Sequence, residues 1–184
     1  MEGRPLAEAE LVRRAKHADV TAYSELVRRH QTVAFRTAYL VTGSVEDAEE
    51  SAQDGFVKAF AALGRFDERR PFRPWLLEIV ANDARNRVRS RVRREQRQLR
   101  SVDGFGGEAA PSPPDPFALA DGRSDALRAV ARLRVEEQRV VLAKFVAGLT
   151  DEEAASALGL PVGTVKSRLS RALARLRTEL ERVE

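Results

Sequence analysis

Apolar residues return at intervals of three and four along almost the whole chain, and no run alternates with a period of two for long enough to suggest a strand. Leu26, Val27, Val33, Ala34, Thr37, Leu40 and Val41 form the first long stripe, which Thr21 is expected to cap and Gly43 to close. Ser44 with Asp47 three residues on reads as the start of a second helix. Its apolar face is Ala48, Ala52, Phe56, Ala59, Phe60 and Leu63, and it ends at Gly64. After the polar stretch "RFDERRPFRP", Trp75, Leu76, Ile79, Val80, Ala84, Val88 and Val92 outline a third helix. A helical period without alternation leaves packed helices as the way to bury these stripes, so the fold class is all-α.

The pattern breaks once. Residues 101–124, "SVDGFGGEAAPSPPDPFALADGRS", are rich in glycine and proline and hold Asp103, Glu108, Asp115 and Asp121 against the single Arg123. This composition predicts an acidic, flexible linker. Beyond it, Leu127, Val130 and Leu133, then Val140, Val141, Phe145 and Val146, suggest one or two helices up to Gly148. The expected architecture is two small helical domains, residues 21–100 and 125–184, joined by the linker and preceded by an N-terminal extension, residues 1–20.

The last part of the chain, "LTDEEAASALGLPVGTVKSRLSRALARLR", has the form of two helices about a tight turn. Thr150 and Glu153 make a capping box. Gly159 supplies a left-handed residue for the turn, and Pro161 suits the start of the next helix. Ala154, Ala155 and Leu158 face inward, small enough to let a second helix cross closely. On that second helix Val165, Leu169, Ala172, Leu173 and Leu176 fall on one face; at about 100° per residue, Ser167, Ser170, Arg171 and Ala174 fall opposite, with Lys166 and Arg175 flanking. A helical hairpin with a solvated polar face would satisfy the pattern. The coincidence of cap, small residues, turn and basic face fits a helix-turn-helix in the major groove better. Arg171 then suits a guanine edge, and Lys166, Arg168 and Arg175 divide between bases and phosphates.

Composition narrows the function. Among 184 residues there is no cysteine, which excludes disulfides, thiolate metal sites and cysteine nucleophiles. His17 and His30, the two histidines, lack metal-ligand spacing and are expected at helix surfaces or boundaries. No phosphate-binding glycine loop or nucleophile elbow occurs, so no catalytic residue, metal or cofactor is expected and the chain reads as a non-enzyme. Without a signal-peptide-like or membrane-spanning run, the expected location is the cytoplasm, with no membrane insertion. Net charge is only +4 although the isoelectric point is near 9.9, so a nucleic-acid surface must be a local patch. All but four of the 32 basic residues are arginines; a codon bias explains their number but not their placement. Residues 85–100, "RNRVRSRVRREQRQLR", gather eight arginines against Glu95, just beyond Phe66, Phe72 and Trp75. Aromatics beside a basic helix suit single-stranded nucleic acid, although each aromatic alone is more simply a core residue.

Taken in order, "EESAQDGFVKAF", "FRPWLLEIVANDARNRVRSRVRR", the acidic linker and "GLTDEEAASALGLPVGTVKSRLSRALARL" resemble a bacterial extracytoplasmic-function (ECF) sigma factor, over nearly the whole chain from Tyr23 onward. The resemblance implies that residues 21–100 are sigma region 2, which docks on core RNA polymerase and melts the minus-ten element, and residues 125–184 region 4, which reads the minus-thirty-five element. It places polymerase docking on Glu50, Gln53 and Asp54. It places minus-ten contacts, including those to a flipped single-stranded base, on Phe72, Trp75, Asn82, Arg85 and Asn86, with Trp75 equally suited to a core anchor. It places duplex readout on Lys166, Ser167, Arg168, Ser170, Arg171 and Arg175. An anti-sigma factor is an implied partner, and the linker acids are implied to enter the polymerase channel or to serve as a plain tether. A free-standing helix-turn-helix regulator remains the alternative, although such proteins carry a receiver or ligand domain with strands. Two departures stand out: "LRVEEQR" lacks the Leu-Pro that usually breaks the helix pair before the motif, and Gly55 inside the docking helix costs about 1 kcal/mol relative to alanine.

Overall fold

The computed structural model describes residues 6–101, 115 and 125–181, and all regular structure among them is helical. The first half contains α1 (Glu8–Lys16), α2 (Val20–Thr42), α3 (Val45–Ala62), a 3-10 turn (Leu63–Arg65) and α4 (Phe72–Ser101). The second half contains α5 (Asp125–Ala131), α6 (Val135–Val141), a π turn (Leu142–Val146), α7 (Asp151–Leu158) and α8 (Val162–Glu181). Of the linker acids, Asp115 alone lies within the described residues, its N–H donating to the Tyr39 hydroxyl at 3.2 Å; Asp103, Glu108 and Asp121 lie outside them.

Helices α2, α3 and α4 pack against one another, and α1 lies along α2 with Leu11, Val12 and Ala15 buried. Their common core is Leu26, Ala34, Leu40, Ala48, Ala59, Leu76, Val80, Ala81 and Ala84, all fully buried. Alanine at so many of these positions lets the helix axes approach closely, and Gly55 carries this furthest. A Cβ built on it would stand 2.5 Å from Val80 Cγ2 and 3.2 Å from Val80 Cα. The glycine that weakens α3 as an isolated helix is what lets α4 cross it.

The helix ends follow the local signals with one exception. The cap of α2 is Asp19, whose Oδ1 accepts from the Ala22 N–H at 3.0 Å, and Thr21 lies inside the helix. That bond, then the Arg14 side chain, holds the Asp19 carboxyl below its usual range. Ser44 caps α3 as expected, accepting from Asp47 N–H, and Gly43 closes α2 at φ 67°. His30 is not a surface residue. It is 6% exposed, 2.9 Å from Glu8 Oε2, and its ring centroid lies 5.5 Å from that of Phe72, so it ties α1 to the core.

The break before α6 forms without the missing proline. Gln138 Nε2 donates to Ala131 O at 2.7 Å and Leu133 O at 3.1 Å, satisfying carbonyls that the end of α5 leaves open. Val140, Val141, Leu142, Ala143, Leu149, Ala154, Val165 and Ala172 then make the core of the second half. The two halves touch: α7 lies on α4 and α2, and the π turn lies on α2.

Candidate nucleic-acid and polymerase interfaces

The helix-turn-helix of α7 and α8 is built as its local chemistry dictates. Thr150 Oγ1 accepts from the Glu153 N–H at 3.1 Å, and Glu153 Oε2 accepts from the Thr150 N–H at 2.8 Å. Gly159, at φ 66°, ends α7 in a conformation that would strain a residue with a Cβ. Val165 and Ala172 are buried beneath α8, whereas Leu173, expected on the same face, is 43% exposed at its edge.

The opposite face of α8 presents Lys166, Ser167, Ser170 and Arg171 to solvent, with Arg168 half-buried beside them. The polar tethers on this row stay within the helix: Ser167 Oγ donates to Thr164 O at 3.1 Å and Arg171 Nε to Ser167 O at 3.3 Å. Arg175 departs from the expectation. Its Nη1 donates to Glu137 Oε2 at 2.8 Å, and that carboxylate on α6 is buried, so Arg175 compensates an interior charge.

In the first half, α4 carries the minus-ten candidates, and the structure divides them. Phe72 is 2% exposed and packs in a cluster, edge-on to Phe66 at 5.9 Å between centroids and tilted against Trp75 at 5.6 Å. Phe72 is therefore a core residue and does not offer its ring to a base. Trp75 packs on the same cluster, 4.6 Å from Phe66, but stays half-buried, with part of its surface open. Asn82 and Asn86 are exposed one turn apart, and Arg85 lies half-buried between them. Arg85 Nη2 donates to Asn82 Oδ1 at 2.6 Å, while Nη1 donates to Ser156 O and, at 3.0 Å, to Ala157 O on α7. Burial, and after it the like charge of Arg89, weakens the hold of the Arg85 guanidinium on its proton.

The third surface is the outer rim of α3. Glu50, Gln53 and Asp54 share it and all three are exposed. Gln53 stands clear, but Arg87 of α4 bridges the two acids, its Nη1 donating to Glu50 and its Nη2 to Asp54 Oδ2 at 2.7 Å. The bridge belongs to an antiparallel row of pairs, Asp47 with Arg91 at 2.6 Å above it and Lys58 with Asp83 below. Sequence reading missed this row, although a signal was present. On α3, Asp47, Glu50, Asp54 and Lys58 recur at intervals of three and four, as Asp83, Arg87 and Arg91 do at intervals of four on α4, and in antiparallel order each charge faces its opposite.

No described helix is long and apolar enough to cross a membrane, and the described residues contain no group of three or more acids and histidines placed to hold a metal ion.

Comparison with known proteins places the chain in a family. Residues 26–94 match the model of Sigma-70 region 2 and residues 123–176 that of Sigma-70, region 4. The chain is 31% identical over 183 residues to RNA polymerase sigma factor CnrH of Cupriavidus metallidurans, with 95% of each chain covered. It is 32% identical to ECF RNA polymerase sigma factor SigM of Mycobacterium tuberculosis, covering 92% of this chain and 83% of SigM. Among solved structures, CnrH in complex with the cytosolic domain of CnrY superposes with a TM-score of 0.59 at 28% identity, covering 96% of this chain and 99% of the other. The sigma factor RpoE in complex with the anti-sigma factor NepR from Bartonella quintana gives 0.52 at 27% identity, covering 85% and 97%. The chain belongs to the extracytoplasmic-function sigma factors of the sigma-70 family, alternative sigma factors that direct transcription.

Proposed function

We propose that this sigma factor docks on core RNA polymerase through the α3 rim, opens the minus-ten element with the outer face of α4, and holds the minus-thirty-five duplex with α8. The observation that carries the reading is the row Lys166, Ser167, Ser170 and Arg171, basic and exposed on a helix whose opposite side is anchored by Val165 and Ala172. Small serines let the helix sit deep in a major groove while Lys166 and Arg171 reach base edges and phosphates. On α4, Asn82, Asn86 and the open part of Trp75 are positioned for an unpaired base and its neighbours, with Arg85 for phosphate. Phe72 supports that face from beneath. Gln53 is exposed on this rim and free to meet a partner's surface, and Glu50 and Asp54 meet the polymerase with Arg87 between them. The complex of RpoE with the anti-sigma factor NepR supports an anti-sigma factor as a partner of this chain too.

Run-off transcription with bacterial core polymerase on fragments of the source genome tests the proposal. The expected result is promoter-specific transcript only when the protein is added. Tight sequence-specific duplex binding by the protein alone, with no transcript from any fragment, would replace it with a free-standing regulator. Replacing Gln53 and Asp54 by alanine is expected to weaken capture by core polymerase and leave duplex binding unchanged.

A further inference from the structure

Residues of α2, α4, α6 and α7 bound an open-mouthed cavity of about 200 Å³. Its wall is apolar at Leu40, Val88 and Leu158, and its charged groups are Arg85 and Arg89 of α4 and Arg139 of α6; among the described residues no acid lines it. Arg36, Arg73, Arg87 and Arg91, half-buried elsewhere on the molecule, are each matched by a carbonyl or a carboxylate: Val146 O, Gly148 O, Glu50 with Asp54, and Asp47. Arg139 is half-buried and unmatched. Its Nε is buried without a hydrogen-bond partner, and neither Arg139 nor the exposed Arg89 forms a close ion pair among the described residues. Arg85 directs its terminal nitrogens to Ser156 O, Ala157 O and Asn82 Oδ1, so it adds its charge to the wall with its own donors already satisfied. Burial weakens the hold of Arg139 on its proton, opposed by the charge of Glu136. It does the same at Arg85, where the like charge of Arg89 adds to the effect and that of Glu78 opposes it.

We infer that this cavity is a binding site for a small phosphorylated metabolite, its phosphate held by Arg89 and Arg139 beside the charge of Arg85 and its remainder resting on Leu40, Val88 and Leu158. Guanidinium groups suit phosphate because their N–H donors sit in a rigid fork that matches two oxygens at once. A phosphate also has oxygens enough to accept from two arginines together. Three like charges around one space repel one another, and an anion of two or more charges turns that repulsion into attraction. Partial burial raises the gain, since Arg139 is already stripped of some of its water and an unsatisfied donor there finds an acceptor. Drug-sized ligands occupy cavities of about 300–1,000 Å³. The smaller volume here favours a group the size of a pyrophosphate or a sugar phosphate, with any larger part left outside the mouth. Arg89 and Arg139 belong to none of the proposed DNA contacts, so the inference stands apart from the function proposed above. A ligand that touches both halves of the folded chain, and has no site in the unfolded one, stabilises the protein by mass action.

Isothermal titration calorimetry on the full chain tests the site, with inorganic pyrophosphate, ribose 5-phosphate and adenosine 5′-diphosphate as separate probes. Titrations are run at about 0.15 M salt, where diffuse attraction between exposed charges is largely screened. The expected result is one-to-one binding of pyrophosphate, weakened on the order of tenfold in Arg139→Gln, as for loss of a hydrogen bond to a charged group. Arg134→Gln removes an exposed arginine at the start of α6, outside the cavity, and should leave the affinity unchanged. Circular dichroism checks that Arg139→Gln keeps its helices. If it does not, Arg89→Gln, at an exposed position, replaces it in the same comparison. Tighter binding of either organic phosphate than of pyrophosphate would support the apolar wall as part of the site and identify the remainder it accepts. Equal weakening in Arg134→Gln and in the cavity variant, or several pyrophosphates bound per chain, would show general attraction to a basic protein and overturn the site. Absence of saturable binding by all three probes at millimolar concentration overturns it as well.

Discussion

Helices α4 and α8 both carry a row of amide, hydroxyl and basic side chains suited to DNA, but they present it differently. On α8 the row is closed on itself: Ser167 bonds to Thr164 O and Arg171 to Ser167 O, and the reading atoms point into solvent. On α4 the row is tied outward, through Arg73 and Arg85 to α7 and through Arg87 to α3. Under the proposed function, α8 meets a duplex that the genome already presents, whereas α4 meets a strand that is single only once the promoter has melted. The contrast teaches that the exposed face of a helix is fixed by its own periodicity, whereas an engaged face is fixed by the neighbours that tertiary structure supplies.

The largest effect expected from a single change lies where α4 is seated. Gly55→Ala gains about 1 kcal/mol of helix propensity in α3 but drives a methyl to 2.5 Å from Val80 Cγ2 and 3.2 Å from Val80 Cα. Overpacking of that kind costs about 1–3 kcal/mol and here works against backbone as well as side chain. A net loss of roughly 2 kcal/mol in urea unfolding is expected. A gain of stability would mean that α4 can shift away freely, and the seating of its face would lose its basis.

These two rows also separate what was legible in the sequence from what was not. Ser44, Thr150 with Glu153, Gly43 and Gly159 act within four residues of their partners, and their residue types announce the roles. The outward face of α8 follows from helical geometry alone. Arg85 finds its carbonyls 71 and 72 residues away, a distance across which no pattern in one segment can speak. Gly55 was misjudged for the same reason, because its cost is local and its benefit lies at Val80. Phe72 and Trp75 read identically as aromatics beside a basic helix, yet one is enclosed by Phe66 and His30 and the other keeps a free edge. The proline missing before α6 was a real departure, answered by Gln138, a residue whose type gives no hint of a cap.

The next effect divides a single helix. Arg171 and Arg175 are one turn apart on α8, and sequence alone gave both to DNA. Arg175→Ala leaves the buried Glu137 carboxylate without its cation. A fully buried pair broken this way would lose about 3–5 kcal/mol, and the exposed arginine end reduces the expectation to about 1–2 kcal/mol in urea unfolding. Arg171→Ala should leave stability within about 0.5 kcal/mol and weaken specific duplex binding by the holoenzyme by about 1–3 kcal/mol, the range of a base-edge contact. The reverse assignment, with Arg175 carrying specificity and Arg171 stability, would break the distinction between an inner and an outer basic row.

The smallest effect probes α7, the helix that lies between the two rows. Asp151 opens it and accepts from Lys144 Nζ at 2.8 Å. That bond, with the charges of Lys144 and then Lys166, holds the carboxyl below its ordinary value of 3.8. Because the folded value is the lower one, the unfolded chain takes up the proton first as pH falls. The carboxylate therefore adds stability that is complete well above 3.8 and disappears as pH drops through the depressed folded value. Asp151→Asn removes the charge and keeps the shape, so its urea stability should lie slightly below wild type at neutral pH and converge on it in acid. Lys166, on the outward face of α8, contributes the smallest part of that lowering by its charge. A difference between the two proteins that persists unchanged to strongly acid pH would show that Asp151 works through packing, and the charge link between α7 and the reading face of α8 would then be dropped.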